Sequence, residues 1–364
     1  MKRIIISVSN DLTTDQRVIK TCDCFNELGY DILLIGRKMK NSLPVTRPYK
    51  TFRFQLLFNK GSFFYAEYNL RLFFKLLFLK KGLLLSNDLD TLLPNYLISK
   101  MLSVKLIYDS HEFFTEVPEL IDRPRVKSFW LFIEKKIFPK LKNVLTVNDK
   151  LAEIYMEKYA VPVTVIKNVP FIRHSTASEP TKFRKTNKRI IIYQGAINMG
   201  RGLELMIDTM PKLEKYLLVI IGDGDVFQQL KRQVTKLGLE KKVIFLRKIL
   251  PKDLPAYTES ADLGISLEEN IGLSYRYSLP NKIFDYIQAG IPVLASDLPL
   301  YNQLMQAFKI GEILRNRDPE NLASLIDEIY ANKASYKESL QKAADLYNWK
   351  VEKKVLIEFI KNIE

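Results

Sequence analysis

Short apolar segments rich in Ile, Val and Leu alternate along the chain with longer amphipathic segments of helical length. In the first half, the apolar segments lie at residues 4–8, 31–35, 83–85, 105–108, 143–147 and 164–166. Among the amphipathic segments between them are residues 16–28, 92–102 and 151–158. This alternation predicts buried parallel strands joined by helices, which is an α/β architecture.

The alternation stops at residues 168–188, where prolines, hydroxyl side chains and a basic cluster replace the periodic apolar positions. It resumes with apolar segments at 189–193, 217–221, 243–246, 263–266, 293–295 and 312–314, and a long amphipathic segment follows at 347–363. We therefore predict a first doubly wound domain over 1–168, a linker over 169–188 and a second such domain over 189–345.

The composition agrees with two globular domains. The 364 residues are enough for two domains that each bury a core, and the apolar share of 47% excludes a disordered or collagen-like chain. The two cysteines, Cys22 and Cys24, cannot form a disulfide framework and indicate a reducing compartment. Two cysteines and two histidines also leave little material for a zinc site, so we predict no bound metal.

The sequence carries no clear signal for export or membrane insertion. Its first apolar segment is short and broken by Ser7, whereas a secretory signal needs a longer apolar core. The most apolar window, 63–85, contains five charged residues, so no run of about 18 apolar residues could span a bilayer. We expect a cytoplasmic protein.

Polar residues that follow predicted strands are the main candidates for a functional site. Ligands of open α/β sheets bind beyond the carboxyl ends of the strands, and two such domains in tandem create a cleft there. A polar loop with Asn10, Asp11 and Asp15 follows the first strand. This loop either faces the ligand or only caps the next helix through Thr14 or Asp15.

A histidine follows the strand predicted at 105–108. His111 lies beside the carboxylates of Asp109 and Glu112. A lone histidine is usually a structural residue, but this position favours a hydrogen-bonding or charge-stabilising group that faces the cleft. Asp88 follows the strand at 83–85 in a similar way, although a helix cap explains it as well.

Glycine-rich turns follow two strands of the second half. Residues 195–202 contain three glycines, including Gly195, together with Arg201. Glycines let the backbone approach a ligand closely and an arginine can neutralise a phosphate, so the turn fits a diphosphate. Gly222 and Asp223 form a similar turn after the next strand.

Residues 280–293 combine a proline at a helix start, a short helix, a glycine stop and a strand. Asn281 and Lys282 open this helix, and Asp285 lies three residues after Lys282, on the same face. The lysine and the aspartate form either a surface ion pair or part of a site. In such a site the carboxylate would hold ribose hydroxyls beside a helix end that faces phosphate.

Taken in order, these segments resemble the retaining glycosyltransferases of family 4, which have the two-domain GT-B fold. The resemblance covers nearly the whole chain and is most specific from residue 195 to residue 293. It implies two Rossmann-like doubly wound domains facing across a cleft, with the acceptor bound by 1–168 and the nucleotide-sugar by 189–345. It also implies that a C-terminal helix, 346–364, packs back on the first domain.

The resemblance assigns roles residue by residue. Asp285 matches the second acid of the family's E-x7-E motif, which binds the donor ribose, and His111 matches a histidine that contacts the donor sugar. Arg201 matches the phosphate-binding lysine and, with Lys282, would stabilise the leaving diphosphate. The other donor-side candidates are Gly195, Gly222, Asp223, Glu269 and Asn281, and the acceptor-side candidates are Asn10, Asp11, Asp15, Asp88 and Glu112.

Three positions depart from the family pattern. Asp285 is an aspartate where the family has a glutamate, Ala196 stands where the family has an arginine, and Tyr277 stands where the first acid of the motif would fall. Residues 269–273 resemble the opening of that motif, displaced upstream by an apparent insertion.

The implied reaction moves a sugar from a nucleotide diphosphate-sugar to a hydroxyl of a glycan or lipid-linked acceptor. It retains the anomeric configuration and needs neither a metal nor a cofactor. One alternative is a nucleotide-sugar epimerase of the same fold, and another is a weakly active or nonenzymatic relative, motivated by Ala196 and Tyr277. A nucleic-acid-binding protein also suits the charge, but the chain has no recognisable reading motif, so we expect no such partner.

The net charge of +15 is concentrated in two segments. Residues 47–81 hold eight Lys and Arg against one acid, and residues 121–142 hold seven against two. We interpret the phenylalanines interleaved with the first segment as core residues of helices. The basic residues predict a surface that docks on anionic lipid, which would place the protein on the inner face of the plasma membrane.

Overall fold

A computed structural model describes residues 2–13, 15–40, 42–172 and 187–363 of the chain. Most of the predicted linker, residues 173–186, lies outside the described residues. The chain divides into two compact units. The first comprises Met1–Asn168 together with Glu352–Glu364, and the second comprises Val169–Val351.

The first unit is built on a sheet of seven strands over its described residues, in the order β3-β2-β1-β4-β5-β6-β7. Every neighbouring pair in this sheet is parallel. The strands are β1 (Arg3–Ser7), β2 (Asp31–Lys38), β3 (Lys50–Gln55), β4 (Leu83–Asn87), β5 (Lys105–Ser110), β6 (Asn143–Thr146) and β7 (Val163–Val165). The helices are α1 (Gln16–Glu27), α2 (Gly61–Phe78), α3 (Leu89–Met101), α4 (Pro124–Ile137) and α5 (Asp149–Tyr159).

The central strands of this sheet contain continuous apolar runs because helices cover both of its faces. The isoleucines of β1 and the leucines of β4 are almost fully buried. The edge strand β3 has no counterpart among the segments predicted from the sequence. Its sequence mixes charged and aromatic residues, since only part of an edge strand is buried, and it therefore lacks a continuous apolar run.

The second unit is built on a sheet of six strands among the residues described, in the order β10-β9-β8-β11-β12-β13. All of its pairs are parallel. The strands are β8 (Arg189–Gln194), β9 (Tyr216–Ile221), β10 (Val243–Leu246), β11 (Leu263–Ser266), β12 (Val293–Ser296) and β13 (Gly311–Leu314). The helices are α6 (Leu203–Thr209), α7 (Phe227–Lys236), α8 (Leu254–Glu259), α9 (Gly272–Arg276), α10 (Asn281–Gln288), α11 (Pro299–Ala307), α12 (Pro319–Ala331), α13 (Lys337–Leu346) and α14 (Trp349–Ile363).

The last helix, α14, begins in the second unit, and its residues from Glu352 onward group with the first unit. The Glu352 carboxylate accepts a hydrogen bond of 2.8 Å from the backbone N–H of Lys167. Lys105 in β5 donates through its Nζ to the carbonyl of Ile363. These bonds tie most of α14 to the first unit.

The strand order of each sheet reverses next to its central strand. Chain connections leave β1 and β4 in opposite directions in the first sheet, and β8 and β11 do the same in the second. Crevices at the carboxyl ends of such strand pairs are the usual ligand sites of doubly wound sheets. No helix among the residues described is both long enough and apolar enough to cross a membrane.

The interpretation of the phenylalanines in 47–81 as core residues is only partly right. Phe54 and Phe64 are buried, whereas Phe58, Phe63, Phe74 and Phe78 are exposed. The helix α2 is apolar on both its inner and outer sides, so the apolar pattern alone does not reveal which side is buried.

Candidate functional site

In the first unit, charged side chains meet at the carboxyl ends of β1, β4 and β5. His111 lies one residue beyond β5, and its ring is held between two carboxylates. Its Nδ1 lies 3.3 Å from an Asp88 oxygen, and its Nε2 lies 3.3 Å from an Asp109 oxygen. The backbone N–H of His111 also donates to Asp88, over 2.7 Å. Three contacts therefore fix the position of this histidine.

The two carboxylates keep the imidazole of His111 charged. Burial lowers the pKa of His111, but the negative charges of Asp88 and Asp109 outweigh this effect and raise the pKa to about 9. An imidazolium at neutral pH donates from both ring nitrogens and accepts from neither. His111 is thus a fixed positive group with part of its ring surface exposed.

Asp109 is in turn held by a buried arginine. Arg17 in α1 donates to its two oxygens from Nε over 2.9 Å and from Nη2 over 2.6 Å. Burial raises the pKa of the Asp109 carboxyl, but Arg17 and His111 hold it well below its usual range. Arg17 also donates to the carbonyl of Ile166, beside β7. This arginine was not among the residues predicted from the sequence.

A third carboxylate at this edge, Asp90, has a different protonation equilibrium. Burial and the neighbouring charge of Asp88 raise the pKa of Asp90 to about 7, although Ser9 donates a hydrogen bond to its carboxylate. Asp88 adopts a left-handed backbone conformation with φ of 57°. A charged histidine and a carboxyl group near its titration point therefore lie close to each other at the same sheet edge.

The other acceptor-side candidates have more local partners. Asp15 caps α1 by accepting a hydrogen bond of 3.1 Å from the backbone N–H of Val18. It also accepts a hydrogen bond of 2.7 Å from the Asn10 side chain. Asp11 accepts from the backbone N–H and the hydroxyl of Thr13. Glu112 is exposed beside His111. The helix cap therefore accounts for one of these two Asp15 contacts, the one with Val18.

In the second unit, charged groups converge on Glu268, two residues beyond β11. Its carboxylate is fully buried and lies 2.6 Å from the Lys282 Nζ and 3.3 Å from an Arg201 Nη1. Tyr301 and Ser266 each donate a hydrogen bond of 2.7 Å to it. The cluster of Glu268, Lys282 and Arg201 contains two cations for one carboxylate, so it carries a net positive charge.

Burial and salt-bridge pairing shift the pKa values of this cluster in opposite directions. Burial raises the pKa of Glu268, but Lys282 and Arg201 outweigh it and lower the pKa to about 2. For Lys282, burial is the larger effect and lowers the pKa to about 8 in spite of the salt bridge. Glu268 is therefore ionised at neutral pH, and Lys282 loses its proton within the mildly alkaline range.

Aromatic rings support both cations of the cluster. The Arg201 guanidinium lies 4.3 Å from the centroid of the Tyr275 ring, and the Lys282 Nζ lies 4.1 Å from the Tyr193 ring. The buried Nε of Arg201 has no hydrogen-bond partner. Its guanidinium is thus packed between a ring and a carboxylate with donor capacity left over.

The two glycine turns of this unit pack directly on each other. Gly195 and Gly222 both have positive φ, 139° and 149°, and a Cβ on Gly222 would lie 1.9 Å from the Gly195 carbonyl oxygen. Only glycine fits at residue 222 without moving the neighbouring turn. Asp223 follows this turn, is partly exposed and pairs with Arg247 over 2.6 Å.

Asp285 lies in the middle of α10, and Gln194 at the end of β8 positions its side chain. Its carboxylate accepts a hydrogen bond of 2.7 Å from the Gln194 side-chain amide. The side-chain carbonyl of Gln194 in turn accepts a hydrogen bond from the Thr258 hydroxyl. Lys282 is on the same helix but is buried and pairs with Glu268, so a surface ion pair does not describe it. Asn281, at the start of α10, is exposed.

Glu269, Ala196 and Tyr277 each lie close in sequence to a residue of the Glu268 cluster. Glu269 is about half exposed, lies 3.9 Å from Arg317, and its backbone N–H donates to the Gly200 carbonyl. The Ala196 carbonyl accepts from the Tyr193 hydroxyl over 2.6 Å. Tyr277 directly follows α9.

Glu268 is the principal site residue that the sequence predictions missed. It directly precedes Glu269, and the rule that site residues follow strands applies to both positions. The resemblance names Glu269 as a donor-side residue, and this stays a prediction. The carboxylate that is fully buried and contacts the two cations is that of Glu268. Within the part of the chain that the structure describes, no group of three or more His, Cys, Asp or Glu side chains is arranged to hold a metal ion.

Comparison with known proteins finds similarity to glycosyltransferases. Residues 175–346 match the family model described as Glycosyl transferases group 1. The chain is 23% identical over 257 residues to the chitobiosyldiphosphodolichol beta-mannosyltransferase of Candida albicans. This alignment covers 63% of this chain and 55% of that protein. The chain spans about half the length of the curated relatives it matches.

Two solved structures share the architecture over the full chain. The sucrose-phosphate synthase from Thermosynechococcus elongatus aligns with a TM-score of 0.80 at 16% identity, covering 100% of this chain and 99% of that one. The Anabaena HepE in complex with UDP-glucose aligns with a TM-score of 0.75 at 15% identity, covering both chains completely. The predicted α/β fold with two Rossmann-like domains of the GT-B type is thereby confirmed.

Proposed function

We propose that this chain is a glycosyltransferase that moves a sugar from a nucleotide diphosphate-sugar to a hydroxyl of a glycan or lipid-linked acceptor. One observation carries the proposal. The net positive cluster of Glu268, Lys282 and Arg201 lies beyond the carboxyl end of β11, inside the segment that matches the glycosyl transferases group 1 model. A nucleotide diphosphate is the anion that such a position in a Rossmann-like unit suits.

The leaving diphosphate gains negative charge as the glycosidic bond breaks, and this charge is what the cluster would stabilise. Arg201 and Lys282 supply the cations, and Glu268 holds both of them in place before the donor binds. The packed glycine turns at Gly195 and Gly222 leave room for the backbone to approach the phosphates. With two protein cations at the phosphates, we propose that transfer needs no metal.

We propose that the remaining donor contacts follow the family resemblance. Asp285 would hold the ribose hydroxyls, which requires its carboxylate to exchange or share its hydrogen bond from Gln194. His111 would place its charged ring near the donor sugar or the developing negative charge, and a hydrogen bond to either would require it to release Asp88 or Asp109. We propose retention of the anomeric configuration on the same resemblance.

The acceptor is proposed as a glycan or a lipid-linked saccharide, because the matched Candida albicans protein is named for a dolichol-linked substrate. We also propose that the protein works in the cytoplasm at an anionic membrane surface. Its cysteines, Cys22 and Cys24, are both free and buried, as expected for a protein of a reducing compartment.

The test is release of nucleoside diphosphate from a panel of UDP- and GDP-sugars with short glycan and lipid-linked acceptors. Arg201→Met should lower kcat/KM for the donor by about 100-fold or more, as for other groups that stabilise transition-state charge. Lys212→Met removes a cation from a surface pair with Glu320 and serves as the matched control. Absence of donor-dependent turnover with every acceptor, or an unaffected Arg201→Met variant, would overturn the proposal.

Three further readouts separate the finer parts of the proposal. The coupling constant of the product's anomeric proton reports retention or inversion. Turnover that persists in excess chelator supports transfer without a metal, and loss of turnover refutes it. Conversion of the nucleotide-sugar to its epimer without an acceptor would favour the epimerase instead.

A further inference from the structure

The first sheet has a crevice of its own between the carboxyl ends of β1 and β4. The strand order reverses between these two neighbours, because the chain leads from β1 to β2 and β3 on one side and from β4 to β5 and β6 on the other. Doubly wound sheets bind ligands at such points. Ser9 follows β1 by two residues and Asp90 follows β4 by three, so both residues lie at this crevice.

A hydroxyl and a carboxylate meet across the crevice. The Ser9 hydroxyl donates a hydrogen bond to the carboxylate of Asp90, across 81 residues of sequence. Asp90 is 6% exposed, whereas Ser9 is partly exposed. The Ser9 oxygen keeps its lone pairs when it donates, and no residue in the described part of the chain donates to it. Ser9 is therefore the member of the pair that a ligand hydroxyl would reach first.

A buried acceptor lies at the same crevice without a donor. The Asn87 side chain is 1% exposed, and its Nδ2 donates over 2.9 Å to the Ser7 carbonyl, which places the amide between the ends of β1 and β4. Among the described residues, nothing donates to its Oδ1. Native structures contain few buried acceptors of this kind, because each one costs free energy. The crevice thus offers oxygen acceptors to a ligand that brings hydroxyl donors.

The surroundings of Asp90 allow it to gain and lose a proton near neutral pH. The titratable and charged groups that face it are Asp88 at the start of its own helix, Arg37 of β2, His111 beyond β5, and Tyr65 and Tyr68 of α2. Burial and the charge of Asp88 raise the pKa of Asp90 to about 7, and the Ser9 hydrogen bond and the two cations offset this only in part. The tyrosines stay neutral, because burial raises their pKa values.

The neighbouring carboxylates are less suited to take up a proton. Asp109 accepts two hydrogen bonds from Arg17, and the cations beside it hold its pKa well below the usual range. Both oxygens of Asp88 contact His111, one at the ring and one at the backbone N–H. A general base is most effective when its pKa lies near the operating pH. Asp90 is the carboxylate at this edge that combines such a pKa with a hydroxyl partner.

We propose that Ser9 and Asp90 form a proton relay that binds the hydroxyl of the acceptor and takes up its proton during sugar transfer. The acceptor oxygen forms its bond to the anomeric carbon as the bond from that carbon to the diphosphate breaks, and the electron pair of the broken bond leaves with the diphosphate. The acceptor proton passes to the Ser9 oxygen while the Ser9 proton passes to Asp90. This inference rests on the proposed function and names the group that receives the proton.

The first test is the pH dependence of transfer, measured with a donor and acceptor that support nucleoside diphosphate release. For the unmodified chain, kcat/KM for the acceptor should rise through about pH 7 as Asp90 loses its proton. Asp90→Asn keeps the shape of the side chain but cannot take up a proton, so it should lower this kcat/KM by about 100-fold or more at pH 8 and remove the rise. At pH 5.5 the two proteins should differ much less, because Asp90 is then protonated.

Variants of Ser9 test the other member of the relay. Ser9→Ala should lower kcat/KM for the acceptor by about ten-fold or more, and Ser9→Thr, which keeps a hydroxyl, should restore most of it. Asp31→Asn, at the amino end of β2, is the matched control and should keep both the rate and the pH profile. Every variant should bind a nucleoside diphosphate as the unmodified chain does, and thermal melts check that the fold is kept.

An Asp90→Asn variant with an unchanged rate would overturn the relay and leave the transferase standing. A lower rate with the original pH profile would make Asp90 a positioning residue and would also overturn the relay. Carbon-13 NMR of the Asp90 carboxyl, with a panel of methyl glycosides as probes, needs no turnover. A titration near pH 7 that a glycoside shifts, without turnover on any acceptor, would refute only the transferase; a titration near pH 4, or one that no glycoside shifts, would refute the relay.

Discussion

Replacing Asp88 with Asn removes one of the two carboxylates that hold His111 charged, with almost no change in shape. Residue 88 has φ of 57° and ψ of 169°, and Asn has nearly the same shape as Asp, so the substitution adds no new backbone strain. The amide oxygen of the new side chain can still accept the hydrogen bond from the His111 N–H. The substitution therefore isolates the charge of the carboxylate.

The distance sets the expected size of the effect. An Asp88 oxygen lies 3.3 Å from the His111 Nδ1, and at that distance two charges interact by about 1 kcal/mol in water and by about 5 kcal/mol at an effective dielectric constant of about 20. The pKa of His111 should therefore fall from about 9 by at least about one pH unit in the variant. Asp11→Asn, at the same sheet edge, is the matched control and should leave that pKa unchanged.

The stability of the protein should follow the same titration. The folded-state pKa of His111 is raised above its ordinary value of 6.5, so its contribution to stability is fully present below that pH and is lost as the pH rises through about 9. A difference of this size corresponds to about 3 kcal/mol. The loss between pH 6.5 and pH 9.5 should be smaller in Asp88→Asn.

The assay is NMR titration of the imidazole Cε1–H signals. The sequence has two histidines, so His174→Ala assigns the His111 signal directly. Denaturant melts at pH 6.5 and 9.5 give the accompanying change in unfolding free energy. A His111 signal that titrates near 6.5 in the unmodified protein, or identical titrations in both proteins, would refute the arrangement of charges described above.

Three other predictions concern single contacts. Arg17→Met should lower the free energy of unfolding by about 3–5 kcal/mol because it leaves Asp109 charged and buried, and the melting temperature should drop by roughly 6–20 °C. Arg3→Met, at a partly exposed pair, is the control and should lower it by less than about 1 kcal/mol. Equal effects of the two substitutions would contradict the reasoning. The affinity for a nucleoside diphosphate, measured by calorimetry, should fall as Lys282 loses its charge above pH about 8, and Lys282→Arg should flatten that decline; a pH-independent affinity would count against Lys282 as a phosphate contact. Gly222→Ala should abolish the affinity for a nucleoside diphosphate because its Cβ would lie 1.9 Å from the Gly195 carbonyl oxygen. Gly238→Ala, with open space around it, should lower the free energy of unfolding by only about 1 kcal/mol and leave the affinity intact.

The sequence was sufficient to predict the fold class, because the evidence for it is local and repeated. Buried parallel strands need continuous apolar runs, and those runs recur at the spacing of βα units in both halves of the chain. The same logic located the glycine turns after β8 and β9. The edge strand β3 escaped prediction because its exposed positions interrupt the apolar pattern.

The charge arrangement of the two sites depends on tertiary contacts. The sequence placed His111 beyond a strand end and Lys282 at a helix start. Arg17, however, contacts Asp109 across 92 residues of sequence, and Glu268 contacts Arg201 across 67 residues. Such pairings follow from how the strands are ordered in a sheet, and periodicity carries no information about them. The burial of Glu268 and the exposure of its neighbour Glu269 likewise depend on the packed structure.

The phenylalanines of α2 show the same division most plainly. Their spacing determined that a helix with two apolar sides would form, and the charge around them was already visible in the sequence. Which side of α2 faces the sheet depends on the neighbouring strands and helices, because burial of either apolar side would be similarly favourable. The sequence by itself therefore determined most of the helices and strands, and only the packed structure decided which apolar side chains remain at the surface.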